Sequence, residues 1–157
     1  MTLETLNLTF PEATLETWHQ HSFGGGWVEN TASVDDTAFV GPEALVCGKA
    51  WISDNAEVSD YARVYDNAKV TGTAWVSDYA RVYDNAWISD NAEVSGYTLV
   101  GGYAMVSGNA MVCGNDAMVC GNARVSGYAR VSGDARVSGD ACVSGYTLVG
   151  GEADGTE

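Results

Sequence analysis

Valine or isoleucine returns at every sixth position from Val28 to Val112, and after a one-residue slip at Asp116 the series resumes at Val119 and runs to Val149. A small residue precedes each by two places, alanine from Ala32 onward, with Thr98 and Thr147 the two substitutes. In a hexad such as Ala62-Arg63-Val64-Tyr65-Asp66-Asn67, this spacing predicts a short strand with Ala62 and Val64 inward and Arg63 and Tyr65 outward. Asp66 and Asn67 then supply a corner, because Asp, Asn and Gly tolerate the positive φ angles of a sharp turn. Three hexads make a triangular coil of 18 residues, so the 21 hexads give about seven coils. Stacked about 4.8 Å apart, they form a rod about 34 Å long. Longer identities carry the same period: YARVYDNA occurs at Tyr61 and again at Tyr79, 18 residues on. VSGYTLVGG at Val94 returns at Val143, displaced by 49, which is 48 plus the residue inserted at Asp116. Asp116 is therefore expected to bulge at a corner without changing which residues share a face.

The chain divides into a cap over residues 1–22, the repeat array over 23–151 and an acidic tail over 152–157. In the cap, Leu6, Leu8 and Phe10 alternate as in a short strand. Thr9 and Glu12 have capping-box spacing, Pro11 suits a first helical turn, and Leu15 with Trp18 makes a short apolar face, so a helix is expected to follow the strand. The expected role of this segment is a plug over the open end of the first coil. Gly24, Gly25 and Gly26 form the joint into the array. At the other end Glu152, Asp154 and Glu157 are the type of residue that discourages strand addition to an uncovered edge.

The hexads, of which Val-Ser-Asp-Asn-Ala-Glu is one, resemble the bacterial transferase hexapeptide repeat, in which an aliphatic residue is followed four places later by a small one. The resemblance covers residues 23–151, and it implies an all-β fold, a left-handed parallel β-helix. The GGWVEN segment at Gly25–Asn30, with the AxVSGN-type units after it, looks like a subgroup of uncharacterised bacterial and phage hexapeptide proteins. Family members that acylate hydroxyl or amino groups use a histidine base near a trimer cleft, because the acceptor loses a proton as it attacks a thioester. Here the two histidines, His19 and His21, lie in the cap and outside every hexad, no loop interrupts a coil, and no glycine-rich phosphate loop is present. Cys113 and Cys120 are the remaining candidate nucleophiles. Acyl transfer is thus the alternative, and a non-enzymatic binding or scaffold role, with no cofactor, is the first expectation.

Charge narrows the partners. Seven Lys and Arg against 21 Asp and Glu give a net charge of −14, which disfavours direct nucleic-acid binding and adhesion to anionic membranes. The same charge is compatible with an acidic decoy for a basic, nucleic-acid-binding protein. Four cysteines without a CxxC pair or a Cys–His cluster point to neither a zinc site nor a disulfide framework, and unpaired thiols fit a reducing cytoplasm. The N-terminus has no basic region followed by a long apolar run, so neither a signal peptide nor a membrane span is expected.

Residues 18 apart stack, so outward ladders can be read directly. One face carries Arg63 and Arg81 with Tyr65 and Tyr83, flanked by Tyr61, Tyr79 and Tyr97. Guanidinium and phenol planes of this type hold an anionic or aromatic ligand, or a partner's side chains. Alternatively, Asp60, Asp66, Asp78 and Asp84 in the adjoining turns pair with the arginines. Stacked turn aspartates could also receive Ca²⁺, although the glycine-rich nonapeptide of calcium-binding β-rolls is absent and no metal site is assigned. A second face places Lys69 between Trp51 and Trp87 as a cation–π sandwich, and Trp75 lies outward on the third. Outward tryptophans mark contact surfaces. Leu99, Met105, Met111 and Met118 form an apolar girdle around one coil, read as the interface of a homo-oligomer, a trimer by the resemblance.

Overall fold

The computed structural model describes residues 1–150, and the expectations for the acidic tail lie outside the described residues. From Trp27 onward the chain is a parallel β-solenoid of seven coils whose strands, mostly two residues long, form three sheets. The first face runs from Trp18–Gln20 to Arg136–Val137, the second from Ser33–Val34 to Cys142–Val143, and the third from Phe39–Val40 to Leu148–Gly150. Register follows the sequence period. On the first face Val46 pairs with Val64, Val64 with Val82, and Val82 with Val100. Across the insertion Val100 pairs with Val119, one residue further, and the faces continue unchanged. Inside, the Val/Ile and Ala positions from Ala38 to Val131 form one continuous buried column.

From Gly48 onward the corners turn at a residue of positive φ. Asp fills that place at Asp54, Asp60, Asp66, Asp78, Asp84 and Asp90, with φ between 54° and 61°, and Gly fills most of the later ones. The aspartates do more than tolerate the angle. The Asp84 carboxylate (Oδ2) accepts the Gly102 amide at 3.0 Å, and Asp78 accepts Gly96 at 2.9 Å. Asp66 and Asp60 accept the amides of Asp84 and Asp78 at 3.3 and 3.4 Å. A turn carboxylate thus ties its coil to the next one. Gly96 has no alternative, since a Cβ there would lie 2.3 Å from the Gly114 carbonyl oxygen, displaced at the inserted corner.

The cap differs from the sequence expectation. Leu3–Thr9 is a helix (α1), N-capped by Thr2, whose Oγ1 accepts the Thr5 amide at 3.2 Å, and Trp18–Gln20 is a strand (β1). Strand and helix are therefore in the reverse order. Leu3, Leu6 and Phe10 fall on one helical stripe and pack with Trp18, Trp27 and Leu45, whereas Leu8 is 85% exposed. Pro11 follows the helix rather than starting it, consistent with its steric restriction on the preceding residue. Leu15, expected on an apolar helix face, is exposed, and β1 instead pairs antiparallel with Trp27–Glu29 (β2).

Nor does α1 plug the core. It lies along the outside of the first face, against Trp27 and Leu45. The end of the first coil is met by β1 and by the segment 21–26, where Val40 and Phe23, and Gly26 and Val40, exchange backbone hydrogen bonds of 3.0 and 2.9 Å. Ala32 and Val34, on the second face of that coil, stay only half-buried.

Candidate functional site

The first face is the only one on which a cap helix and a pair of stacked arginines meet among the described residues. Its outward ladder reads Trp27, Leu45, Arg63, Arg81, Leu99, Met118, Arg136. Arg63 and Arg81 are direct partners in adjacent parallel strands, so their side chains leave the sheet about 4.8 Å apart. Arg63 is half-buried and Arg81 exposed.

Tyrosine stacks flank the pair on both sides. Tyr61 and Tyr79 lie 5.1 Å apart between ring centroids at 6°, and Tyr79 and Tyr97 lie 4.6 Å apart at 2°. Tyr65 and Tyr83 stack at 5.5 Å and 11°. The Tyr83 ring then lies over Gly101 in the next coil, where a Cβ would meet it at 2.4 Å. Gly101 was not singled out from sequence, yet its place 18 residues after Tyr83 is the signal that would have found it.

The expected pairing of these arginines with turn aspartates does not occur. Among the described residues the ion pair present is between the Met1 amine and Glu43, at 2.8 Å. Asp60, Asp66, Asp78 and Asp84 point their carboxylates along the rod axis to backbone amides of the next coil. Among the described residues Arg63 and Arg81 therefore have no carboxylate within ion-pair distance. The same aspartates leave no group of three His, Cys, Asp or Glu arranged to hold a metal among the described residues.

Two grooves, each of about 270 Å³, share both arginines. The first is bounded by Phe10 at the end of α1, by Leu45 and Cys47, and by Tyr65. The second is bounded by Tyr61, Tyr79, Tyr97 and Leu99, with the inserted Asp116 contributing a carboxylate. Phe10, Leu45 and Cys47 were not anticipated as lining residues, because their contribution depends on where α1 lands.

The surroundings raise the pKa values of Tyr65, Tyr79, Tyr83 and Cys47 on this face. Burial raises the Tyr65 phenol above its ordinary value of 10.0, against a smaller lowering by Arg81. Burial, then Asp84 and Cys120, raise Tyr83, while Tyr97, burial and Tyr61 raise Tyr79. Burial, reinforced by Glu29 and Asp66, pushes the Cys47 thiol up to about 12, so it is a poor nucleophile at neutral pH. His21 is buried, with Nε2 at 2.9 Å from the Ala38 carbonyl oxygen, and His19 Nδ1 lies 2.7 Å from the Asn30 side-chain oxygen. Arg130 reaches Cys113 at 3.9 Å, on the third face.

The tryptophans lie elsewhere. Trp51 and Trp87 are on the second face and Trp75 on the third, all more than two-fifths exposed. The expected sandwich is one-sided: Lys69 Nζ sits 5.3 Å from the Trp51 ring, while the Trp87 indole donates to Thr71 at 3.1 Å. Trp75 likewise donates to Ser59 at 2.9 Å. Leu99 and Met118 stack on the first face, whereas Met105 is on the second and Met111 on the third, all half-buried. The four residues therefore face three directions around the rod.

Register and repeat together define a β-solenoid repeat protein. Residues 117–133, 129–146 and 135–151 match the family model for the YdcK beta solenoid repeat. The earlier coils carry the same alternation of Ala and Val outside that match. No curated protein and no solved structure matches the chain. Among the described residues no helix is long and apolar enough to cross a membrane.

Proposed function

We propose that this chain is a binding scaffold without catalytic function, a left-handed hexapeptide-type β-helix that self-associates as a trimer and offers its first face to an anionic partner or small ligand. One observation carries the reading: Arg63 and Arg81 are adjacent, flanked by stacked tyrosines, and paired with no carboxylate among the described residues. Two like charges on neighbouring strands repel each other, the less so where water screens them. The turn carboxylates that would relieve this are held by amides instead. An arrangement that leaves like charges together is relieved by an anion from outside, and the flat tyrosine stacks give that anion's remainder a surface to lie on.

Native mass spectrometry of the protein, gently purified from its own host, tests this against an Arg63→Met/Arg81→Met double variant. The expected result is a trimer that carries additional mass in the wild type and loses it in the variant. Identical bare masses for the two would overturn the binding reading, and a bare monomer would remove the trimer as well.

A further inference from the structure

We infer that the groove between α1 and Tyr65 takes an aromatic ring bearing a phosphoryl group, with the phosphoryl at Arg63 and Arg81 and the ring against Phe10, Leu45 and Tyr65. This rests on the binding reading above and specifies its ligand.

Charge selects the head group. Two guanidiniums with no carboxylate partner among the described residues match one anion of charge near −2, which a phosphomonoester carries at neutral pH. A carboxylate would neutralise one arginine and leave the other. Geometry agrees: a carboxylate has two oxygens and is satisfied by a single guanidinium fork, whereas a phosphoryl group has three free oxygens and can accept from two forks at once. Because Arg63 and Arg81 project from neighbouring strands of one sheet, both forks are offered from the same side.

Lining selects the remainder. Beyond the arginines the first groove is walled by Phe10, Leu45 and Tyr65, with Cys47 held as a neutral thiol. Glu29 and Asp66, the carboxylates that act on that thiol, keep their charge but accept the amides of Gly48 at 2.7 Å and Asp84 at 3.3 Å and do not line the groove. Tyr65 keeps its proton and so can donate to an anion. The second groove is the poorer host, because the acidic Asp116 is among its lining residues. A volume of about 270 Å³ admits a ring with one phosphoryl group.

Such a ligand comes from a phosphorylated aryl group or from a nucleoside monophosphate, and titration distinguishes them. Phenyl phosphate, AMP, benzoate and inorganic phosphate are titrated into the full chain by calorimetry. The same series is run on Arg81→Gln and Tyr65→Ala, with circular dichroism confirming that each variant is folded. The expected result is binding of phenyl phosphate or AMP at least tenfold tighter than benzoate or inorganic phosphate. Arg81→Gln should weaken it at least tenfold, and Tyr65→Ala should weaken phenyl phosphate more than inorganic phosphate. Whichever aromatic phosphate binds more tightly names the source. Benzoate binding as tightly as phenyl phosphate, lost in Arg81→Gln, would overturn the phosphoryl assignment while leaving an anion-binding face intact. Inorganic phosphate matching phenyl phosphate would remove the ring. No binding of either aromatic phosphate at millimolar concentration overturns the inference outright.

Discussion

Asp84 isolates the two forces that act at the aspartate corners of this rod. Its φ is 57°, a left-handed conformation that costs an ordinary residue about 1 kcal/mol relative to glycine. Against that, its carboxylate accepts the Gly102 amide at 3.0 Å. A hydrogen bond to a charged acceptor contributes about 1.5 kcal/mol, reduced toward 1 kcal/mol because Asp84 is exposed. Asp84→Ala keeps the strain and loses the bond, so the loss should be about 1 kcal/mol. Asp84→Gly loses the bond but relieves the strain, and the two nearly cancel. Asp84→Asn keeps a neutral acceptor and costs about 0.5 kcal/mol. Urea unfolding followed by circular dichroism should rank wild type, Asn and Gly together and Ala clearly below, with an unchanged m-value. In a chain of this size the Ala variant should melt about 2–4 °C lower. Equal stability of the Ala and Gly variants would refute the backbone contribution, and wild-type stability in all three would refute the bond. The near-cancellation also accounts for the sequence itself, in which Asp and Gly share one corner position along the array.

Two further substitutions probe the core and the groove. Thr98 takes the place of alanine in its hexad, is fully buried, and its hydroxyl finds no hydrogen-bond partner; Thr98→Val, which keeps the shape, should raise stability by about 1 kcal/mol. A lower urea midpoint for this variant would show that the hydroxyl is satisfied. Cys47 has a folded-state thiol pKa of about 12 against an ordinary 9.0, raised first by burial. Its contribution to stability is therefore fully present below pH 9 and is lost as pH climbs toward 12. At pH 8.5 a thiol reagent should label exposed Cys142 first and Cys47 last, and Cys47→Ala should flatten the alkaline fall in stability. Labelling of Cys47 at the rate of Cys142 would contradict the burial argument.

The array was legible because a period of six leaves the chain no choice. Once Val64 and Ala62 point inward, Arg63 and Tyr65 must point outward, and addition of 18 gives Arg81 and Tyr83 as their neighbours. Even the slip at Asp116 was readable, since the displaced VSGYTLVGG copy fixes its size. The cap was not legible, because Leu6, Leu8 and Phe10 satisfy a strand period while Leu3, Leu6 and Phe10 satisfy a helical one. What decided between them lay in the array: Trp27 and Leu45 face outward on the first sheet and need an apolar cover, which a helix stripe supplies and a lone strand does not. The same landing of α1 creates the groove beside Arg63.

The destination of the turn aspartates was equally hidden. By composition, Asp66 three residues after Arg63 reads as its natural ion partner. Between them, however, the chain turns a corner at positive φ, and the carboxylate is directed to the amide of Asp84 one coil away. A backbone amide cannot move off to water without breaking the stack, whereas an arginine can remain solvated at little cost, so the amide wins the carboxylate. That the guanidiniums have no carboxylate partner among the described residues is therefore a consequence of how the rod holds its coils together. That makes the two properties separable in the laboratory. Substituting Asp84 should change stability first, and substituting Arg81 should change binding first. If Arg81→Gln destabilised the fold as much as Asp84→Ala does, the arginines would be part of the scaffold, and the first face would lose its claim to a ligand.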